Sequence, residues 1–228
     1  ATPWAPSWNA RTWLRPATNV APLSLSYLPS EVYITNNSAA GALQTRQDGT
    51  SEPATYLTLR TQRSDGSTQA AAELDYIDNV TTISMRMLAR VRGSPGAVAG
   101  FFTYYNDTSE SDVEILTRDG NSQVRLSNQP TADPQTGVPI PDASFNASLP
   151  AGRSTTDWNV YRLDSLGDRT DWYLNGKLVA STKVNVPKGV NSMVSLNMWS
   201  NGGGFTGEMA VGLEAVLEIQ WVELFYNS

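Results

Sequence analysis

The stretch Glu110-Ser111-Asp112-Val113-Glu114-Ile115 alternates acidic side chains with small or apolar ones. A period of two is the period of a β-strand, so Glu110, Asp112 and Glu114 fall on one face while Val113 and Ile115 point to the other, toward a core. A row of like charges costs energy unless something uses it, and a soluble outer face normally intersperses lysine or arginine among its acids. A solvated strand face would also produce this alternation, so the pattern alone leaves two readings open.

Outward from this run, short segments rich in β-branched and aromatic residues recur along the chain. They are Val32 to Thr35, Ala54 to Thr61, Thr81 to Val91, Val98 to Tyr105, Ser111 to Leu116, Gln123 to Ser127, Val160 to Leu166, Thr170 to Leu174, Lys177 to Thr182, Ser192 to Trp199 and Val216 to Phe225. Turn signals such as Asp119-Gly120 and Asn175-Gly176 separate them, and no long amphipathic helical window competes. So many antiparallel strands on one core must stack or close, which predicts an all-β, two-sheet sandwich. The segment 128–157, with five prolines, reads as an extended loop that either walls a cleft or decorates the surface.

The even composition of the 228 residues predicts one domain, 1–228, and 40% apolar against 17% charged residues suits a packed core. The formal charge of −6, without a basic run, argues against nucleic acid and anionic membranes as partners. No apolar stretch approaches the length of a membrane span or a signal peptide core, and the start ATPWAPSW reads as a processed end. With neither cysteine nor histidine, disulfides, thiolate chemistry, Ser-His-Asp triads and histidine-bound zinc are excluded. Carboxylates remain for catalysis. The row at Glu110 suits glycoside hydrolysis, in which one carboxylate attacks while another delivers a proton, and neighbouring negative charges help keep one of them protonated. On a straight strand the outer two Cα atoms would lie about 13 Å apart, whereas a retaining mechanism wants carboxyls about 5 to 5.5 Å apart, so the side chains must converge.

The run ESDVE, the upstream Phe101-Phe102-Thr103-Tyr104, the downstream DWNVYRLDSLGDRTDWYLNG (157–176) and Leu196-Asn197-Met198-Trp199 stand in one order across about 100 residues. Together they resemble glycoside hydrolase family sixteen, with the unbulged E-x-D-x-E and the general wording of a secreted fungal member. The resemblance implies a concanavalin A-like β-jelly-roll with a cleft on its concave face and a retaining, endo-acting attack on β-1,3-1,4- or β-1,3-glucan. It implies Glu110 as nucleophile, Asp112 as its electrostatic helper and Glu114 as general acid/base. Ser111 departs from the usual Ile and Asn159 from a frequent His. A transglycosylase of the same family and a carbohydrate-binding module without turnover are the alternatives.

Sugars pack their CH faces on aromatic rings, and a cleft needs hydroxyl partners beside them. Trp199 matches the family's cleft tryptophan, Asn197 shares its face, and Tyr104 and Arg125 flank the acids on neighbouring strands. Trp158, Trp172 and Trp221 read as core, and Trp4, Trp8 and Trp13 as pins for the N-terminal segment. Sequons at Asn36, Asn79, Asn106 and Asn146 fit a secreted, extracellular glycoprotein. The resemblance allows a structural calcium on the convex side, but no D-x-D-x-D loop is present, and neither metal nor organic cofactor is predicted. The expected partner is a β-glucan polysaccharide, bound by a monomer.

Overall fold

A computed structural model describes residues 6–36 and 55–228. The alternation at Glu110 is one instance of a pattern that organises most of these residues into two hydrogen-bonded layers. The first runs β11 (Ser144–Ser148), β10 (Gln123–Asn128), β9 (Ser109–Leu116), β8 (Val98–Asn106), β15 (Met193–Trp199) and β6 (Thr68–Tyr76). From β6 the path passes to β5 (Thr55–Gln62), β16 (Glu214–Asn227), β7 (Thr82–Gly93), β12 (Asn159–Ser165), β13 (Thr170–Leu174) and β14 (Lys177–Thr182). Four N-terminal strands attach beside this path: β1 (Trp8–Ala10) and β3 (Ser24–Tyr27) on β6, β2 (Trp13–Arg15) on β3, and β4 (Val32–Asn36) on β5. Every pairing is antiparallel except β3 on β6. This is the all-β jelly-roll sandwich expected from the sequence.

The layers meet on the apolar half of each alternation. Met85, Met87, Ala89 and Val91 of β7 and Tyr161 and Leu163 of β12 pack against Phe101 of β8, Val113 and Ile115 of β9 and Leu196 of β15. Each fully buried side chain of this size contributes about 1.5–3 kcal/mol. Asn175 and Gly176 adopt φ of 50° and 81°, the left-handed pair that lets a two-residue turn follow the strand twist, and they join β13 to β14. Two polar ties cross the core. Trp172 Nε1 donates to the main-chain oxygen of Asp112 at 2.9 Å, and Ser111 Oγ donates to Asn128 Oδ1 at 2.6 Å. Asn128 Nδ2 in turn reaches Thr170 Oγ1 and the Val184 carbonyl. Ser111 is thus a buried polar residue with its partner supplied.

Several expectations need correction. Segment 128–157 is not one extended loop, because Ser144–Ser148 forms β11 on the edge of β10. The strands β1, β2, β3 and β6 were not anticipated. Trp8 and Trp13 lie within β1 and β2, while Trp4 and Ala54 fall outside the described residues. Trp158 and Trp172 are buried, but Trp221 is half-buried, since the register shift between Ile219 and Trp221 turns its ring under Arg86, 5.9 Å away. Asn159 is fully buried and structural, its amide donating to the carbonyls of Ser154 and Asp157.

Candidate active site

β9 lies between β8 and β10, so Asp112 and Glu114 have cross-strand neighbours on both sides and Glu110 has one on the β8 side. Tyr104 stands opposite Glu110, Phe102 and Ser127 opposite Asp112, and Gly100 and Arg125 opposite Glu114. The rows continue onto β15 and β6, where Asn197 pairs with both Gly100 and Glu73, and Ser195 with both Phe102 and Asp75. The cleft therefore runs across the strands, from Asn146 and Arg125 through the acids to Asn197 and Glu73. Gly100 permits this passage: a Cβ there would lie 2.4 Å from Asn197 Oδ1.

The three acids come together on this face. Glu110 and Asp112 stand next to each other in the row, near enough for each carboxyl to bear on the other's proton. Asp112 is buried and accepts from Ser127 Oγ at 2.8 Å and Gln129 Nε2 at 3.3 Å. No ion pair joins Glu110, Asp112 or Glu114 to a lysine or arginine among the described residues. Burial is the largest influence on each, and it raises proton affinity above the ordinary carboxylate range. For Glu110 the adjacent Asp112 adds to this, followed by Glu114 and Asp107. Glu114 is pushed up to about 8 by burial and then by Asp112, against a lowering by Arg125. Glu110, Asp112 and Glu114 influence one another, so their protons come off as a set rather than one residue at a time. Such a site holds, near neutral pH, both an ionised carboxyl and a protonated one.

A cavity of 450 Å³ opens beside Glu114, lined by Arg125, Gln129, Asn146, Trp199 and Phe205 among others. Trp199 packs on the cluster of Leu25, Tyr27 and Ala71 and lies nearly parallel to Phe205, with centroids 6.5 Å apart. Asn197 is buried in the row beside Glu114, across Gly100. Tyr104 is half-buried, and its hydroxyl donates to Asp107 at 2.8 Å. Arg125 is held in a two-pronged contact by Asp119 at 2.8 and 3.1 Å. Asn79 and Asn106 are exposed, Asn36 ends β4 with the rest of its sequon outside the described residues, and Asn146 lies on the cavity wall.

The sequence reading missed the far end of the cleft. Glu73 and Asp75 of β6 are both buried. Trp13 Nε1 donates to Glu73 at 3.0 Å, Ser195 Oγ donates to Asp75, and Arg11 forms an ion pair with Asp75 at 3.2 Å. Trp13 stacks on Tyr27 with centroids 4.5 Å apart. Burial and then Asp75 push Glu73 up to about 7. Its signal was in the chain: Glu73-Leu74-Asp75 repeats the alternation of Glu110-Ser111-Asp112. No three His, Cys, Asp or Glu side chains gather to hold a metal ion among the described residues.

No protein-family model matches the chain, and no curated protein matches it in sequence. Solved structures do match its fold. A Bacillus licheniformis β-glucanase aligns over 98% of this chain and 94% of its own, with TM-score 0.70 and 15% identity. A prokaryotic β-1,3-1,4-glucanase (lichenase) derived from a mouse hindgut metagenome aligns over 96% and 92%, with TM-score 0.66 and 17% identity. LamA from Z. galactanivorans, in complex with laminaritriose and laminaritetraose, aligns over 99% and 94%, with TM-score 0.67 and 15% identity. Similarity at this level of identity establishes a shared fold.

Proposed function

We propose that the chain is a secreted, endo-acting, retaining glycoside hydrolase of family sixteen that cleaves β-1,3-1,4- or β-1,3-glucan. The observation that carries this reading is the row Glu110, Asp112, Glu114, with no arginine or lysine ion pair among the described residues and raised in proton affinity on a cleft face. The β-glucanase, lichenase and laminari-oligosaccharide complex that share the fold support the choice of substrate.

In the first step the Glu110 carboxylate attacks the anomeric carbon, the glycosidic C–O bond breaks, and Glu114 gives its proton to the departing oxygen. Glu110 must be ionised to attack, so the proton that burial and the Asp112 charge favour on it must leave beforehand, and Asp112, next in the row, is the acceptor at hand. In the second step Glu114, now a carboxylate, takes a proton from water. The water oxygen attacks the anomeric carbon, and Glu110 leaves. No described side chain donates a hydrogen bond to Glu114, which leaves its carboxyl available to a ligand in the neighbouring cavity. The rings of Trp199, Phe205 and Trp13 and the polar Asn197 and Glu73 line the path a sugar chain would follow.

Reducing-sugar release from barley β-glucan, laminarin, xyloglucan and a galactan tests the reading, with NMR of the first-formed anomer. Release with retained configuration, lost by on the order of 10⁴-fold in Glu110→Gln, is the expected result. Unchanged activity in that variant removes Glu110 as nucleophile, and inactivity on every polymer favours a binding module.

A further inference from the structure

Glu114 meets charge from few directions. Its own strand supplies Asp112, and β10 supplies Arg125, with Asp119 behind it. β8 offers Gly100, β15 offers Asn197, and the loop after β15 offers Phe205, none of them ionisable. Arg125 is the cross-strand partner of Glu114, in the position where side chains of adjacent strands lie side by side. Its guanidinium does not turn to Glu114, however. Nε and Nη2 donate to the two oxygens of Asp119, and Cζ sits 5.3 Å from the centroid of the Phe205 ring. The planar fork is fixed on one edge by a carboxylate and on one face by an aromatic ring.

We infer that Arg125, locked by Asp119 and Phe205, is a positioning residue that sets the electric field at the Glu114 carboxyl. This rests on the reading of Glu114 as the acid/base. The clamp keeps the cation near enough to favour the carboxylate that Glu114 becomes after giving up its proton, while denying it the direct ion pair that would hold Glu114 ionised before the first step. Asp119 offsets part of the charge of Arg125, so the field depends on the difference between the two. Opposite changes follow from removing either member.

The experiment is a ¹³C NMR titration of the Glu114 carboxyl in the full chain without substrate, beside the pH dependence of kcat/KM on the best glucan. Arg125→Met is expected to move the Glu114 midpoint, and with it the basic limb, up by about half to one pH unit. Asp119→Asn is expected to move both down by a smaller step, and Arg125→Lys, which keeps the charge, to leave the midpoint near its starting value. A purely structural role would lower activity or thermal stability without opposed shifts. Midpoints that stay put in both variants, or move the same way, overturn the inference. If the midpoints move in opposite directions while no polymer is cleaved, the field assignment stands and the hydrolase reading falls.

Discussion

The two layers carry acidic residues in the same alternating fashion and treat them in opposite ways. Away from the cleft, carboxylates are matched with arginine: Glu218 with Arg90 and Arg92, Glu223 with Arg86, Asp164 with Arg162, Asp171 with Arg169, and Glu31 with Arg60. Arg90 lies with its guanidinium 4.5 Å from the Trp158 ring centroid and 5.5 Å from that of Tyr56. On the cleft layer, Glu110, Asp112, Glu114 and Glu73 have no such ion pair among the described residues, whereas Asp75 pairs with Arg11 and, in the turn after β9, Asp119 pairs with Arg125. A buried carboxylate that a fold merely tolerates is paired; one left unpaired takes up a proton instead, and the capacity to exchange that proton is what catalysis uses.

The contrast can be broken most forcefully at Glu218. Glu218→Gln strips the buried Arg90 of its carboxylate and is expected to destabilise the protein by about 3–5 kcal/mol in chemical denaturation, while kcat per folded molecule stays unchanged. A loss of kcat would mean that the two layers are not independent. Gly100→Ala probes the cleft layer by bulk: the new Cβ meets Asn197 Oδ1, and a cost of about 1–3 kcal/mol in stability is expected together with a KM that rises more than kcat falls. Unaltered KM would remove Asn197 from substrate binding.

The subtlest comparison is Glu114→Gln. The folded protein raises the Glu114 pKa to about 8, so its contribution to stability is fully present below the ordinary carboxylate range and is lost as pH rises through about 8. Glutamine stays neutral throughout. The melting temperatures of variant and parent should coincide near pH 4, and the variant should melt a few degrees higher, on the order of 2–4 °C, near pH 9. At Glu223, half-exposed and paired with Arg86, the same substitution should give no gain at alkaline pH.

The acidic row was legible because alternation on a strand needs no tertiary knowledge, and Val113 and Ile115 made the apolar side plain. The turn at Asn175-Gly176 was legible for a similar reason: its two residues tolerate left-handed backbone. β6 was hidden because Thr68–Tyr76 contains three consecutive alanines and little β-branched character. Ala71 and Ala72 are both fully buried, on opposite faces, and small side chains are what close packing there admits. β11 was hidden within a proline-rich segment because an edge strand of Ser, Phe, Asn, Ala and Ser needs one apolar anchor, Phe145, which tilts against Trp172 at 5.9 Å. The restraint of Arg125 by Asp119 depended on a turn geometry that spacing does not reveal.

Asn146 gives the choice of production host a structural meaning. It is exposed on the cavity wall, it is the cross-strand partner of Arg125, and it begins the sequon Asn146-Ala147-Ser148. A host that decorates this asparagine would plant a branched oligosaccharide at the mouth of the cleft, where it competes with incoming polymer. Material from bacterial cells, or from a strain bearing Asn146→Gln, leaves that entrance open.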